Sequence, residues 1–155
     1  MKEAVGMKNN IRFSLRTKRW FYGIFGVLFS SGVLWLAAHY LFGRYDEFGI
    51  RDNSFEPLLM KIHGAAAMVS LMVLGVLIPI HMQRAWGRGR NRRTAVVIVS
   101  VCVLLILSGY GLYYLGSEEV RLWISGLHSI IGCLLPMVLL WHVLVGRKTR
   151  ASSRF

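Results

Sequence analysis

Four long apolar runs dominate the chain, and each is long enough for a helix to cross a hydrocarbon core, which takes about 20 residues. They cover 21–42, which holds no Lys, Arg, Asp or Glu, 57–80, with Lys61 near its start, 94–115, and 122–145. The pattern predicts an all-α, four-helix transmembrane bundle forming a single membrane domain over 1–155. A basic head over 1–20 and a basic tail over 146–155 flank it. The connections over 43–56, 81–93 and 116–121 are too short for a further domain, and no internal repeat or low-complexity tract interrupts the pattern.

Composition agrees with the pattern, since 55% of the 155 residues are hydrophobic and only 17% charged, too apolar a balance for a soluble surface of this size. A chain this short and mostly membrane has no room for a soluble catalytic domain, which excludes hydrolases, kinases and Rossmann enzymes. The net charge of +12 raises the question of nucleic acid. Where the charges lie answers it: 15 of the 19 basic residues fall in the head, the 81–93 connection and the tail, and the opposite face keeps four of them with six of the seven acids. That asymmetry is a topology signal, placing both termini in the cytoplasm. The first span is too long for a signal peptide, and Trp35 precedes Leu36, Ala37 and Ala38 where a cleavage site needs small residues, so it reads as an uncleaved anchor.

Cys102 and Cys133 lie inside spans and form no CxxC pair, so they read as packing residues rather than metal or haem attachment points. The histidines are more informative. His39, His63, His81, His128 and His142 all lie in the spans or at the first residue beyond one. Ionisable groups in a bilayer are costly and mark functional sites, and imidazole is a ligand for haem iron.

Helical geometry sorts four of them into pairs. His63 and His81 are 18 residues apart, five whole turns, and so share a face about 27 Å apart along the axis. His128 and His142 are 14 apart, within about 40° of one face and about 21 Å apart. Both helices run in the same direction, so His63 matches His128 in depth near the outer surface, and His81 matches His142 near the inner one. Such a pair is what a six-coordinate haem b needs as axial ligands, the alternative being interfacial or hydrogen-bonded imidazoles that bind nothing. The mismatch of about 6 Å between the spacings is absorbed by tilt, or by bends at Pro79 and Pro136. Gly64, Ala65, Ala66, Ala67, Gly75, Gly126 and Gly132 suit either a flat cofactor or close helix packing.

The remaining candidates are open between two readings each. His39, near the outer end of its span beside Tyr40, is either an interfacial ring or an alternative axial ligand or propionate partner. Arg44, Arg51 and Lys61 could pair the propionates of an outer haem, and Arg84, Arg147 and Lys148 those of an inner one, or all could serve only as topology determinants. Tyr110, Tyr113 and Tyr114, with Trp123 across the short connection, form either an aromatic belt or a pocket for a quinone head, with Tyr110 and Tyr114 as its candidate lining. Met68 and Met72 read as core filler.

On these residues the chain resembles the small di-haem membrane cytochromes b, the group that contains the cytochrome b subunits of formate dehydrogenases and nickel-iron hydrogenases. The likeness is greatest in the last span, where LHSIIG carries His128 and LWHVLVGR carries His142, Gly146 and Arg147, and it extends to KIHGAAA around His63. In the formate dehydrogenase type, the first span supplies the inner haem's second ligand from its cytoplasmic end. No histidine stands there in this chain, and His81 takes the part. The resemblance implies two haems b, quinone chemistry and a periplasmic or cytoplasmic redox subunit as partner. The expectation is an inner-membrane electron-transfer subunit of a quinone-linked oxidoreductase complex. The competing class is a haem-free membrane anchor or assembly subunit, which needs no paired histidines.

Overall fold

The computed structural model describes residues 15–42, 44–46, 49–51, 54–87 and 92–151, and the side chains within them except at positions 17, 18, 44–46, 49–51, 80–87, 150 and 151. Four helices make up almost all of it: α1 (Leu15–Leu41), α2 (Glu56–Gly87), α3 (Arg92–Tyr114) and α4 (Glu118–Ala151). All four are long and apolar enough to cross a membrane. The expected spans are therefore present, but three of the helices run well past them into polar sequence. α4 shows why. Ser117 precedes a first turn carrying Glu118 and Glu119, which complement the exposed N–H groups there, and Arg121 N–H bonds back to Ser117 O at 3.0 Å. α2 starts at Glu56 with Pro57 behind it, where the missing N–H costs nothing.

The connection between α1 and α2 departs from the plain linker expected. A two-stranded antiparallel hairpin forms there, β1 (Arg44–Asp46) with β2 (Gly49–Arg51), in the register Arg44↔Arg51, Tyr45↔Ile50 and Asp46↔Gly49. Pro79 and Pro136 lie inside α2 and α4, within the spans expected to hold them. The carbonyl that each leaves without its usual donor, four residues back, belongs to Gly75 and Gly132, where no side chain crowds the proline ring.

The short connections make α1–α2 and α3–α4 antiparallel hairpins, each packed closely along its length. Between hairpins, α1 meets α4 and α2 meets α3 over only a few residues, and the described parts of α2 and α4 do not approach each other's backbone. α2 and α4 are therefore diagonal in an up-down-up-down bundle. Large apolar side chains such as Val27, Leu58, Leu107 and Leu144 face outward, as lipid-facing positions do. Burial is left to small and polar residues: Ala38 and Ala95, with Ser31, Glu56, Ser70, Thr94 and Ser108.

Candidate functional site

Four of those five buried polar residues have a histidine as partner. His63 Nδ1 lies 3.0 Å from Leu28 O and 3.1 Å from Ser31 Oγ, both on α1. A carbonyl only accepts, so Nδ1 carries the proton and Nε2 keeps its lone pair. His128 repeats the arrangement on the other hairpin. Its Nδ1 is 2.8 Å from Ser108 Oγ on α3, and that hydroxyl in turn donates to Leu105 O at 3.2 Å. Ser31 likewise donates to Leu28 O at 3.0 Å. In both cases a serine satisfied by the carbonyl three residues back receives an imidazole N–H from the neighbouring helix.

A glycine follows each serine, and the imidazole occupies the space its missing side chain leaves. A Cβ on Gly32 would lie 3.0 Å from His63 Cε1 and 3.2 Å from its Nδ1, and one on Gly109 would lie 3.4 Å from His128 Cε1. Ser31-Gly32 and Ser108-Gly109 are thus the same device used twice. Sequence reasoning passed over both, because small residues in a membrane span read as ordinary packing.

The two rings meet across the diagonal of the bundle, with centroids 6.3 Å apart and planes at 83°. With metal–nitrogen bonds of about 2 Å and ring centres roughly 1.1 Å behind each nitrogen, two imidazoles on opposite sides of one metal have centres about 6 Å apart. Nδ1 anchored on a protein acceptor, with Nε2 left to ligate, is the usual state of a metal-binding histidine. Among the described residues no group of three or more His, Cys, Asp or Glu gathers to hold an ion directly. Two imidazoles are what a haem iron would take from the protein, and in residue type and separation His63 and His128 fit that role as ligands.

His142 follows the same pattern. Its Nδ1 pairs with Thr94 Oγ1 on α3 at 2.8 Å, and Thr94 is buried. Thr94 and Ser108 are 14 residues apart, as are His142 and His128, so antiparallel α3 offers a hydroxyl to each α4 imidazole in turn. That matched spacing is the signal by which sequence could have found the pair. His81 lies on α2 as expected, but its side chain is outside the described residues. The contact geometry therefore covers one partner of the expected inner pair.

The other candidates are placed as follows. His39 Nδ1 pairs with the buried Glu56 carboxylate at 2.9 Å, and its ring stacks on Trp35. Lys61 is exposed and lies two residues before His63, about 200° around α2 from it. Arg147 and Lys148 are exposed beyond His142, while the side chains of Arg44, Arg51 and Arg84 are outside the described residues. Tyr110 and Tyr114 stack on each other, centroids 4.3 Å apart, with both rings exposed. The Tyr113 hydroxyl instead reaches α2, 3.6 Å from where a Cβ on Gly64 would stand. Ser70 Oγ, seven residues along α2 from His63, is the one buried side-chain polar atom without a hydrogen-bond partner among the described residues.

No protein-family model matches the chain, and neither a curated protein nor a solved structure is similar enough to it to count as a relative.

The hydroxyl partners are open to a direct test. Inside membranes such hydrogen bonds contribute about 0.6 kcal/mol on average, so Ser108→Ala alone should barely shift detergent-phase unfolding. Loss of a partner behind a metal ligand, in contrast, weakens metal affinity about 10- to 100-fold. If the His63–His128 pair holds haem, titration of the purified chain with haemin should show that larger loss at one site in Ser108→Ala, and a smaller one in Ser108→Thr, which keeps the hydroxyl.

Proposed function

We propose that the protein is a di-haem b membrane cytochrome that carries electrons across a bacterial inner membrane, between a quinone or quinol and a partner redox protein. The observation that carries this reading is the approach of His63 and His128 to 6.3 Å across the bundle diagonal, each with Nδ1 engaged by the neighbouring helix. In the proposed topology both termini face the cytoplasm, so this pair lies toward the periplasmic surface and His81 with His142 toward the cytoplasmic one. Support for the inner pair is the equal-depth spacing of the four histidines and the Thr94 anchor behind His142.

Haem, when bound, supplies reversible one-electron chemistry at potentials set by its ligands and surroundings. The chain's own residues do the rest. Nε2 of His63 and of His128 would hold the outer group, and Nε2 of His142, with His81, the inner one. Leu28, Ser31, Ser108 and Thr94 fix the rotation of three of these rings, and the Leu28 carbonyl and the Ser108 hydroxyl also set which nitrogen ligates at His63 and His128. The hairpins approach each other's backbone over few residues, and His63 and His128 meet across the diagonal between them. The lipid-facing exterior of Leu, Val, Ile and Phe excludes water from the path.

The deciding measurement is haem stoichiometry. The purified, dithionite-reduced protein should show the spectrum of low-spin haem b, and pyridine haemochrome against protein should give two per chain. A ratio of zero would sink the reading in favour of a haem-free anchor or assembly subunit, and a ratio of one would leave only a single ligand pair in use.

A further inference from the structure

One buried titratable pair remains outside the ligand set, and its position is ordered with respect to the outer site. Glu56, 5% exposed, accepts the Nδ1–H of His39 at 2.9 Å. Trp35 lies flat against the His39 ring at 5.0 Å and 9°, and Tyr40 meets it edge-on. On α2, Glu56 precedes His63 by seven residues, which puts the two on one face about 10 Å apart along the axis. On α1, His39 continues the stripe of Leu28 and Trp35 and lies about 12 Å beyond Ser31. The pair therefore stands over the His63–His128 site, at the bundle end that carries the α1–α2 connection.

A clasp between two helix ends accounts for the bond itself. It does not account for the chemistry: a carboxylate on Nδ1 fixes the tautomer, keeps the lone pair on Nε2 and compensates the positive charge when Nε2 takes a proton, which is the arrangement of a general base. A base in a membrane, about two helical turns from the proposed iron site, suits a ligand that gives up a proton and an electron together and is apolar enough to arrive from the bilayer.

We propose that His39 accepts the hydroxyl protons of a lipophilic hydroquinone bound at this end of the bundle, with Glu56 as the positioning residue. The proposal rests on the haem reading. Oxidation of one hydroquinone to quinone breaks two O–H bonds and releases two protons and two electrons. Each proton passes to His39 Nε2, which returns it to solvent before taking the next, and the electrons go singly to a ferric haem acceptor used twice.

The test uses purified holoprotein in detergent with tetramethylhydroquinone as reductant and dithionite as control. His39→Gln should slow hydroquinone-driven haem reduction about 100-fold or more, the usual scale for losing a general base, with the dithionite-reducible haem unchanged. Glu56→Gln keeps an acceptor for Nδ1–H but no negative charge, and should lower the maximal rate about 10-fold or more without changing the half-saturating concentration. Binding is read separately: tetramethylquinone should quench tryptophan fluorescence, and Trp35→Phe should remove that quenching. Wild-type reduction rates in both His39→Gln and Glu56→Gln with full haem content, or quenching unaltered in Trp35→Phe, would overturn the proposal. Absence of haem in the dithionite spectrum would instead show that the underlying reading had failed, before any hydroquinone is added.

Discussion

His128→Ala is expected to halve the haem content of the purified protein, from two per chain to one, and His63→Ala to remove the same haem. The two ring centres are 6.3 Å apart, so in the proposed reading both imidazoles serve one iron and removing either would leave it with an open position. The two variants should therefore share one phenotype: loss of the same low-spin signal in electron paramagnetic resonance, with the second signal intact. His142→Ala should remove the other signal, and His39→Ala neither, because its Nδ1 is committed to Glu56 and its ring lies two turns beyond the pair. Loss of different signals in His63→Ala and His128→Ala would break the proposed pairing even if both haems are present.

Gly32 gives the second large effect without any change to a histidine. A leucine there fills the space of the His63 ring, whose Cε1 is 3.0 Å from the position of the first added carbon. Displacing the ring also breaks its bonds to Leu28 O and Ser31 Oγ, so outer-site occupancy should fall about 10-fold or more, the scale seen when the partners behind a metal ligand are lost. Gly32→Ala should be intermediate, since the ring has to give by a few tenths of an ångström, and Gly109→Ala, at 3.4 Å, milder still. Gly23→Ala, on α1 outside every residue placed near the proposed haems, is the control. Nothing lies within 4 Å of its added carbon, and removing a glycine from a helix interior should stabilise the protein by up to about 1 kcal/mol with haem unchanged. Equal haem loss in Gly23→Ala and Gly32→Leu would mean that general helix damage, not the space around His63, explains the result.

The residues that support the histidines were less legible than the histidines themselves. A histidine in an apolar run stands out because an ionisable group there is costly. Ser31, Ser108 and Thr94 do not stand out, since a small hydroxyl can satisfy itself on its own helix, as Ser31 and Ser108 also do. Glu56 was visible only as one of several acids near a span end, and nothing local ties it to His39, 17 residues earlier. The β1–β2 hairpin and the extended ends of α2 and α4 were missed for a related reason: hydropathy marks where a span is apolar, whereas helix length depends on caps and on first-turn charges.

What the sequence by itself determined is the set of spans and the histidines inside them. Both follow from bilayer thickness and from the cost of placing polar groups in hydrocarbon, which act on each segment separately. The rise and turn of a helix add the depth of each imidazole and the face it occupies. Only the tertiary structure decided which faces meet: that α2 and α4 are diagonal, that His63 reaches across to His128, and that α1 and α3 supply the hydroxyls behind them. The rotation of each helix about its axis and its choice of neighbour are set by close packing of small residues such as Gly32 and Gly109 on two chain segments at once, and neither segment carries that information alone.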